Sequence, residues 1–448
     1  MDRLRRALRE RPSVGTDYQP VDSEAHDDSA SSVHPIKAEL AFSWIDYSIF
    51  LFLGVSMLWA WNMFLASAPY FQYRFEASPW IENNFQSSIL VVSTLFSMSS
   101  MILLTRAQKS ASYPRRTWIA LMINLVTNLL LTISSVTFKT TVGGYFGFML
   151  VMVAMSGVAT SLQQNALFSI ASGLGREEYV QGLMAGQGVA GVAPCIVQII
   201  SVLSVSQDEG EGDGTERAAR SAFTFFLTAV GVALVAMLAL SYLMQRHQQL
   251  LSIKAPIEAH GEDDSEPGLK NHSVSLQVLG RKLKYYASAL FLCFGLTMVF
   301  PVFAQEIYSN VPENEAPRLL QRASFIPLAL LLWNTGDVIG RSTALIPRLR
   351  LTYAPKLALA VAVGRFGFLP LFFLCNIKGR GAVVESDFFY LVVVQFLFGL
   401  TNGWLGSACM MAAPHWVEDS EKAVTGGFMS LVLVSGLTVG GLCSFLVS

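Results

Sequence analysis

Residues 331–345 read LLWNTGDVIGRSTAL and set Asp337 and Arg341 four positions apart inside an otherwise mostly apolar run, 319–345. A run of that length predicts a helix crossing a bilayer. About 20 helical residues span the hydrocarbon core, and no lipid-exposed backbone group there can go unpaired. A lone charge at that depth costs at least about 2.5 to 3.5 kcal/mol, so two of them four residues apart call for an explanation.

Ten further runs of spanning length flank this one, at about 45–70, 86–105, 117–137, 145–172, 182–205, 221–244, 286–307, 356–376, 388–412 and 424–447. Composition agrees: 52% of residues are hydrophobic and 14% charged, against roughly 25% charged in soluble domains. Mean hydropathy is +0.46. Period-two alternation is absent, so the expectation is an all-α polytopic membrane protein of eleven transmembrane helices, with no membrane barrel. The net charge of -1 gives no field suited to nucleic acid.

The longest internal break contains EAHGEDDSEPGLKNHS and divides six spans from five. The expected organisation is a disordered cytosolic tail over 1–43, a bundle over 44–244, a cytosolic linker over 245–285 and a second bundle over 286–448. A six-plus-five split is nearly the arrangement of alternating-access transporters, whose halves rock about a midplane site. With the amino terminus inside, cytosolic segments hold 21 of the 31 Lys and Arg residues. The opposite side holds eight, which favours a cytosolic amino terminus and a luminal or extracellular carboxyl terminus.

Several patterns are set aside. GQGVAG at 186–191 satisfies a dinucleotide pattern, but no strand precedes it and it lies in an apolar helix. Gly182 and Gly186 instead form a small-residue step for helix packing, and Pro194 is expected to kink the same helix. Five scattered cysteines and six histidines outside the spans give no metal site, and no cofactor is expected. The sequon Asn271-His272-Ser273 falls in the expected cytosolic linker, where it would go unused.

The pair Asp337 and Arg341 remains. At i,i+4 both side chains share one helix face, with Asn334 joining it, and can pair while facing the bundle interior. They either fix helix register or contact substrate. A carboxylate accepts from hydroxyls and a guanidinium donates to oxygens, which suits a neutral polyhydroxyl ligand. Deep amides occur elsewhere, as Asn62, Gln163, Gln164, Asn165 and Gln187. Each either bonds another helix or meets the edge of a nucleobase, on whose face Trp59 or Trp61 could stack. Arg365 is a second intramembrane cation whose long stem suits snorkelling to the interface or a structural role at an inner gate.

The chain resembles the equilibrative nucleoside transporter family, including its fungal-type vacuolar or lysosomal members. The likeness rests on LGVSMLWAWNMFLASAPYF in span one, QNALFSIASG in span four, GLMAGQGVAG in span five and WNTGDVIGRSTAL in span eight. Carboxyl-terminal blocks such as RFGFLPLFFLCN and FLFGLTNGWLGSACMMAAPHWV extend it. The resemblance implies a major-facilitator-like two-bundle fold that moves nucleosides, such as uridine and adenosine, with nucleobases an open alternative, across the lipid bilayer by alternating access and facilitated diffusion. It implies that Asp337 and Arg341 hold the ribose, that Gln164 faces the base, and that Leu58 and Trp61 line the cavity. Leu65 takes a gating position often filled by methionine, and Asn62, Gly186, Gln187 and Arg365 have gating or structural roles. Ala60 stands where the family commonly has proline before the Trp-Asn pair, which would straighten span one.

Proton coupling through Asp337 is the nearest alternative, opposed by the adjacent guanidinium, which favours the ionised carboxylate. TGD at 335–337 is similar to the catalytic end of membrane aspartyl proteases, but that chemistry needs two carboxylates sharing a proton, and Asp46 and Glu306 fall near span ends. The tail segment Tyr18-Gln19-Pro20-Val21 fits a tyrosine-based sorting signal for an adaptor. It inclines the expected location to a vacuolar or lysosomal membrane over the plasma membrane.

Overall fold

The computed structural model describes residues 41–107, 112–137, 140–204, 214–258, 275–298, 300–312 and 314–444. The tetrapeptide Tyr18–Val21, expected as a sorting signal, most of the expected tail and the sequon at 271–273 lie outside the described residues.

Among the described residues, helices cover all eleven of the expected spans in order. They are α1 (Trp44–Ala66, resuming as Ala68–Phe75), α2 (Pro79–Arg106), α3 (Tyr113–Thr137), α4 (Val142–Gly173), α5 (Glu177–Ser204) and α6 (Gly214–Glu258). Then come α7 (Lys284–Thr297, resuming as Phe300–Glu306), α8 (Arg322–Thr343), α9 (Pro355–Gly364, resuming as Phe368–Phe372), α10 (Leu397–Ala412, led by a π-helical segment Phe389–Phe396) and α11 (Lys422–Ser444). Ten spans are continuous enough to cross a membrane by length and apolarity. The eleventh is α7, whose pieces of 14 and 7 residues are each too short alone. Among the described residues the one isolated β pairing joins Ile307 and Ile377.

The interruptions have a common cause. Proline lacks the N–H that would bond four residues back, and its ring crowds that carbonyl. Pro301 follows the break after Thr297, Pro69 follows the break at Ser67, and Pro370 follows the 3-10 turn Arg365–Gly367. α5, by contrast, runs helical through Pro194. α1 is unbroken past Ala60, consistent with the missing proline. α6 stays helical to Glu258, so the stretch expected as linker from 245 begins as helix. A short helix, Leu276–Lys282, leads into α7.

Helices α1–α6 form one bundle through α1–α5, α2–α4, α3–α4 and α3–α6 packing, and α7–α11 form the other through α7–α11, α7–α9 and α8–α10. Contacts between bundles run along α5–α8, α4–α11, α2–α11 and α5–α10. The halves of the molecule differ in how the bundles meet. On the face bearing Trp44, here the amino face, one apolar cluster draws on both bundles: Phe50, Leu53, Leu167 and Met184 pack in the same core as Cys293, Leu405, Met410 and Phe428. On the opposite face the core is split in two. Phe64, Phe71, Tyr145 and Phe226 belong to a cluster of the first bundle alone, and Phe303, Phe325, Phe372 and Phe398 to a cluster of the second alone. The bundles are thus sealed together on one side and separately packed on the other.

Polar contacts join the bundles on both faces. On the amino face Glu177 of α5 is ion-paired with Arg350, between α8 and α9, and lies 3.5 Å from His415 Nε2 at the end of α10. Lys282 and Glu421 pair at 2.7 Å within the second bundle. That hydrogen bond to the carboxylate holds the Lys282 ammonium above the ordinary lysine range. Toward the opposite face, contact is kept along α5, where Asn334 meets Cys195 at 3.5 Å and Arg318 reaches the Leu203 carbonyl at 3.4 Å.

Candidate substrate site between the bundles

Asp337 and Arg341 lie in the last turns of α8 and are 2% and 6% exposed. Arg341 Nε donates to Asp337 Oδ2 at 2.6 Å, the pairing expected of an acid placed four residues before a base. Arg341 also donates through Nη1 to the Met184 carbonyl of α5 at 2.7 Å. Gln181, one turn earlier on α5, donates to the Arg341 carbonyl at 3.1 Å and is itself held by the Tyr47 hydroxyl of α1 at 2.9 Å. One residue of the second bundle is therefore gripped by two residues of the first.

The second oxygen of Asp337 faces α10. Asn402 Nδ2 donates to Asp337 Oδ1 at 2.8 Å. The helices approach closely enough because each carries two glycines at the contact. A Cβ added at Gly336 or Gly340 would overlap the Phe396 or Leu400 carbonyl, and one at Gly399 or Gly403 the Trp333 or Asp337 carbonyl. Sequence reasoning passes over Asn402. The available signal is an amide at membrane depth immediately before the second glycine of G-x-x-x-G at 399–403.

Arg365 does not snorkel. It is 2% exposed, and its guanidinium is occupied by the Cys293 carbonyl at 3.1 Å, Asn402 Oδ1 at 3.1 Å and Thr401 Oγ1 at 3.2 Å, with the Phe398 ring 4.8 Å away. Acceptors on α7 and α10 satisfy it inside the bundle, which removes the reason to reach the interface.

The other expected residues are arranged around α5. Gly188 abuts the Arg341 side chain, Gln187 Nε2 lies 3.2 Å from Met57 Sδ beside Leu58, and Asn62 donates to the Ala190 carbonyl at 2.8 Å. A Cβ at Gly186 would overlap the Leu51 carbonyl, so α1 and α5 touch backbone to backbone there. Asn334 faces Gly191 and Cys195 of α5, on the Arg341 side of α8 and not the α10 side that Asp337 takes. Gln164 is buried on α4, while its neighbours diverge: Gln163 donates to Ser56 at 2.6 Å, and Asn165 accepts from Arg116 at 3.0 Å. Trp61 packs against the opposite-face core and Leu58 against the amino-face core. Leu65 is 48% exposed. Among the described residues, Gln164, Trp61, Leu58 and Leu65 make no hydrogen bond to the Asp337–Arg341 pair, and α5 stands between α1 and α8.

Two bundles of membrane-spanning length, with a buried charged pair where α8 meets α5, form a polytopic membrane protein of two-bundle architecture. Structural comparison agrees on the fold: the Escherichia coli fucose:proton symporter FucP aligns with a TM-score of 0.54 at 15% identity over 90% of this chain and 92% of its own. The proton:xylose symporter XylE aligns at 0.53 and 12% over 89% and 87%. The family described as Nucleoside transporter matches residues 150–448, and this chain belongs to it. Similar proteins include Nucleoside transporter FUN26 of Saccharomyces cerevisiae, 28% identical over 90% of this chain and 83% of the relative. Equilibrative nucleoside transporter 1 of Homo sapiens is 26% identical over 89% and 95%. Equilibrative nucleotide transporter 8 of Arabidopsis thaliana is 26% identical over 90% and 95%. The protein is a transporter and not an enzyme.

Proposed function

We propose that this protein moves nucleosides across its membrane by alternating access and facilitated diffusion, with Asp337 and Arg341 holding the ribose. The observation that carries the reading is the division of the core: one cluster shared by the bundles on the amino face, two separate clusters on the other. A rocking pair of bundles closed at one end has this form. With the amino face cytosolic, as the distribution of Lys and Arg favours, the conformation faces outward.

Facilitated diffusion is preferred to proton coupling because both oxygens of Asp337 accept hydrogen bonds, from Arg341 and from Asn402. Protonating the carboxylate would weaken the charge-assisted hydrogen bonds it accepts from these donors. Gln164 is assigned to the base, and Leu58, Trp61 and Leu65 to the cavity and its gate. Asn334 is assigned to the substrate beside the pair, and Asn62, Gln187 and Gly186 to the packing of α5 against α1. The sorting tetrapeptide supports residence in a vacuolar or lysosomal membrane, with an adaptor as its partner.

The test is uptake of labelled uridine and adenosine into liposomes holding the purified protein, with and without an imposed pH gradient. Saturable uptake that ignores the gradient is the expected result. Uptake only with the gradient would replace facilitated diffusion by proton coupling, and no uptake by folded protein would overturn the substrate assignment.

A further inference from the structure

The buried network around Asp337 holds one carboxylate and two guanidinium groups. Arg341 neutralises Asp337 directly, so Arg365 is a surplus cation, and among the described residues no carboxylate bonds it. A buried, unneutralised charge in a membrane bundle is costly and calls for a compensating role. The charged and titratable groups around Asp337 are Arg341 on its own helix, Cys293 on α7 and Arg365 on α9; α5 and α10 present the Met184 carbonyl and the Asn402 amide.

What Arg365 does is fix the Asn402 amide. Asn402 Oδ1 lies 3.1 Å from Arg365 Nη2, 2.7 Å from the Thr297 hydroxyl and 3.3 Å from the Cys293 thiol, so donors surround it. Turned the other way, the amide would set its NH2 group against a guanidinium and its oxygen against the Asp337 carboxylate. Arg365, the charged one of these donors, therefore adds to the Thr297 hydroxyl in aiming the Asn402 NH2 group at Asp337 Oδ1. Arg341 takes Oδ2, and with both oxygens anchored the carboxylate plane is set, leaving its remaining lone pairs in fixed directions for ligand hydroxyls.

We propose that Arg365, acting through Asn402, is a positioning residue for Asp337 in nucleoside recognition, a role that rests on the functional reading above. Arg365 touches no substrate in this scheme. Its removal strands no charge, because Arg341 still pairs with Asp337. The Cys293 carbonyl and the Phe398 carbonyl, which lies 3.4 Å from Arg365 Nη2, belong to helices, and Asn402 keeps Thr297. Replacing a buried ion by an apolar side chain of similar volume is often neutral or stabilising. Stability and recognition should therefore separate in Arg365→Met, which a merely structural arginine would not allow.

The experiment measures uridine uptake and thermal unfolding for full-length wild type, Arg365→Met, Arg365→Lys and Asn402→Leu in liposomes and detergent. The expected result is an unfolding temperature for Arg365→Met equal to or above wild type. Its KM should be about tenfold higher, the worth of one misdirected charge-assisted hydrogen bond. Arg365→Lys should regain part of the loss, and Asn402→Leu should match Arg365→Met in KM. A folded Arg365→Met with wild-type KM overturns the role, as does uptake that falls only in step with the amount of folded protein. If wild type takes up no uridine, the nucleoside reading itself fails and the role falls with it.

Discussion

Arg341 Nη1 lies 2.7 Å from the Met184 carbonyl, so a side chain of α8 is bound at once to its own-helix carboxylate and to the backbone of the other bundle. The charged pair and the seal between the bundles thus share an atom group. Arg341→Lys should show this: it keeps the charge but cannot donate along both directions from a planar fork. Uptake should fall at least about tenfold in folded protein, and Asp337→Asn should abolish saturable uptake. Breaking a buried pair costs about 3 to 5 kcal/mol, so Asp337→Asn should also unfold at a lower temperature.

Glu177 joins the bundles at the amino face through Arg350 and His415. Arg350 is about a third exposed, which limits such a pair to about 1 kcal/mol, roughly a fivefold change in a conformational equilibrium. Glu177→Gln should therefore favour opening on that face. The check is an impermeant thiol reagent applied there to a cysteine placed at Val180, which is buried and lines a small cleft with Glu177 and His415. Adding Glu177→Gln to that protein should speed the reaction up to about fivefold. An unchanged rate would assign the seal to the apolar core alone.

The α8–α10 contact predicts a sharp contrast among glycines. Gly340→Ala or Gly403→Ala would drive a methyl group into a backbone carbonyl of the facing helix, forcing the two apart. Overpacking of this kind costs about 1 to 3 kcal/mol, and here it also separates Asn402 from Asp337. Gly231→Ala and Gly364→Ala meet nothing within 4 Å and should be silent. Thermal unfolding of the four variants checks the ranking.

Two leucines of α1 should separate folding from gating. Leu53 is fully buried in the amino-face core, so Leu53→Ala should cost about 2 to 5 kcal/mol. Leu65 is 48% exposed, and Leu65→Ala should leave unfolding nearly unchanged while altering the uptake rate. An equal loss of stability in both would remove Leu65 from the gate.

Much of the architecture is legible in the sequence because the bilayer imposes it: ten of the eleven apolar runs form helices long enough to cross, and the eleventh, α7, is helical in two pieces. The break in α7 and the 3-10 turn in α9 are less visible, although Pro301 and Pro370 carry the reason for both. At the site, the Asp337–Arg341 pair follows from spacing within one helix, which sequence displays directly. The Asn402 bond does not, since it joins residues 65 positions apart and depends on glycines facing each other across two helices. Arg365 misleads for the same reason: a long cationic stem suits snorkelling until the acceptors of α7 and α10 are brought around it.

The central claim is that the Asp337–Arg341 pair recognises the hydroxyls of a nucleoside. The most direct measurement is competition for equilibrium binding of labelled uridine to purified protein by unlabelled uridine and by 2′,3′-dideoxyuridine, in wild type and in Asp337→Asn. In wild type the dideoxy compound should compete at least about tenfold more weakly, because the buried pair is left without its hydroxyl partners. Residual uridine binding to Asp337→Asn should lose that preference. Equal competition by the two compounds in wild type would contradict the account.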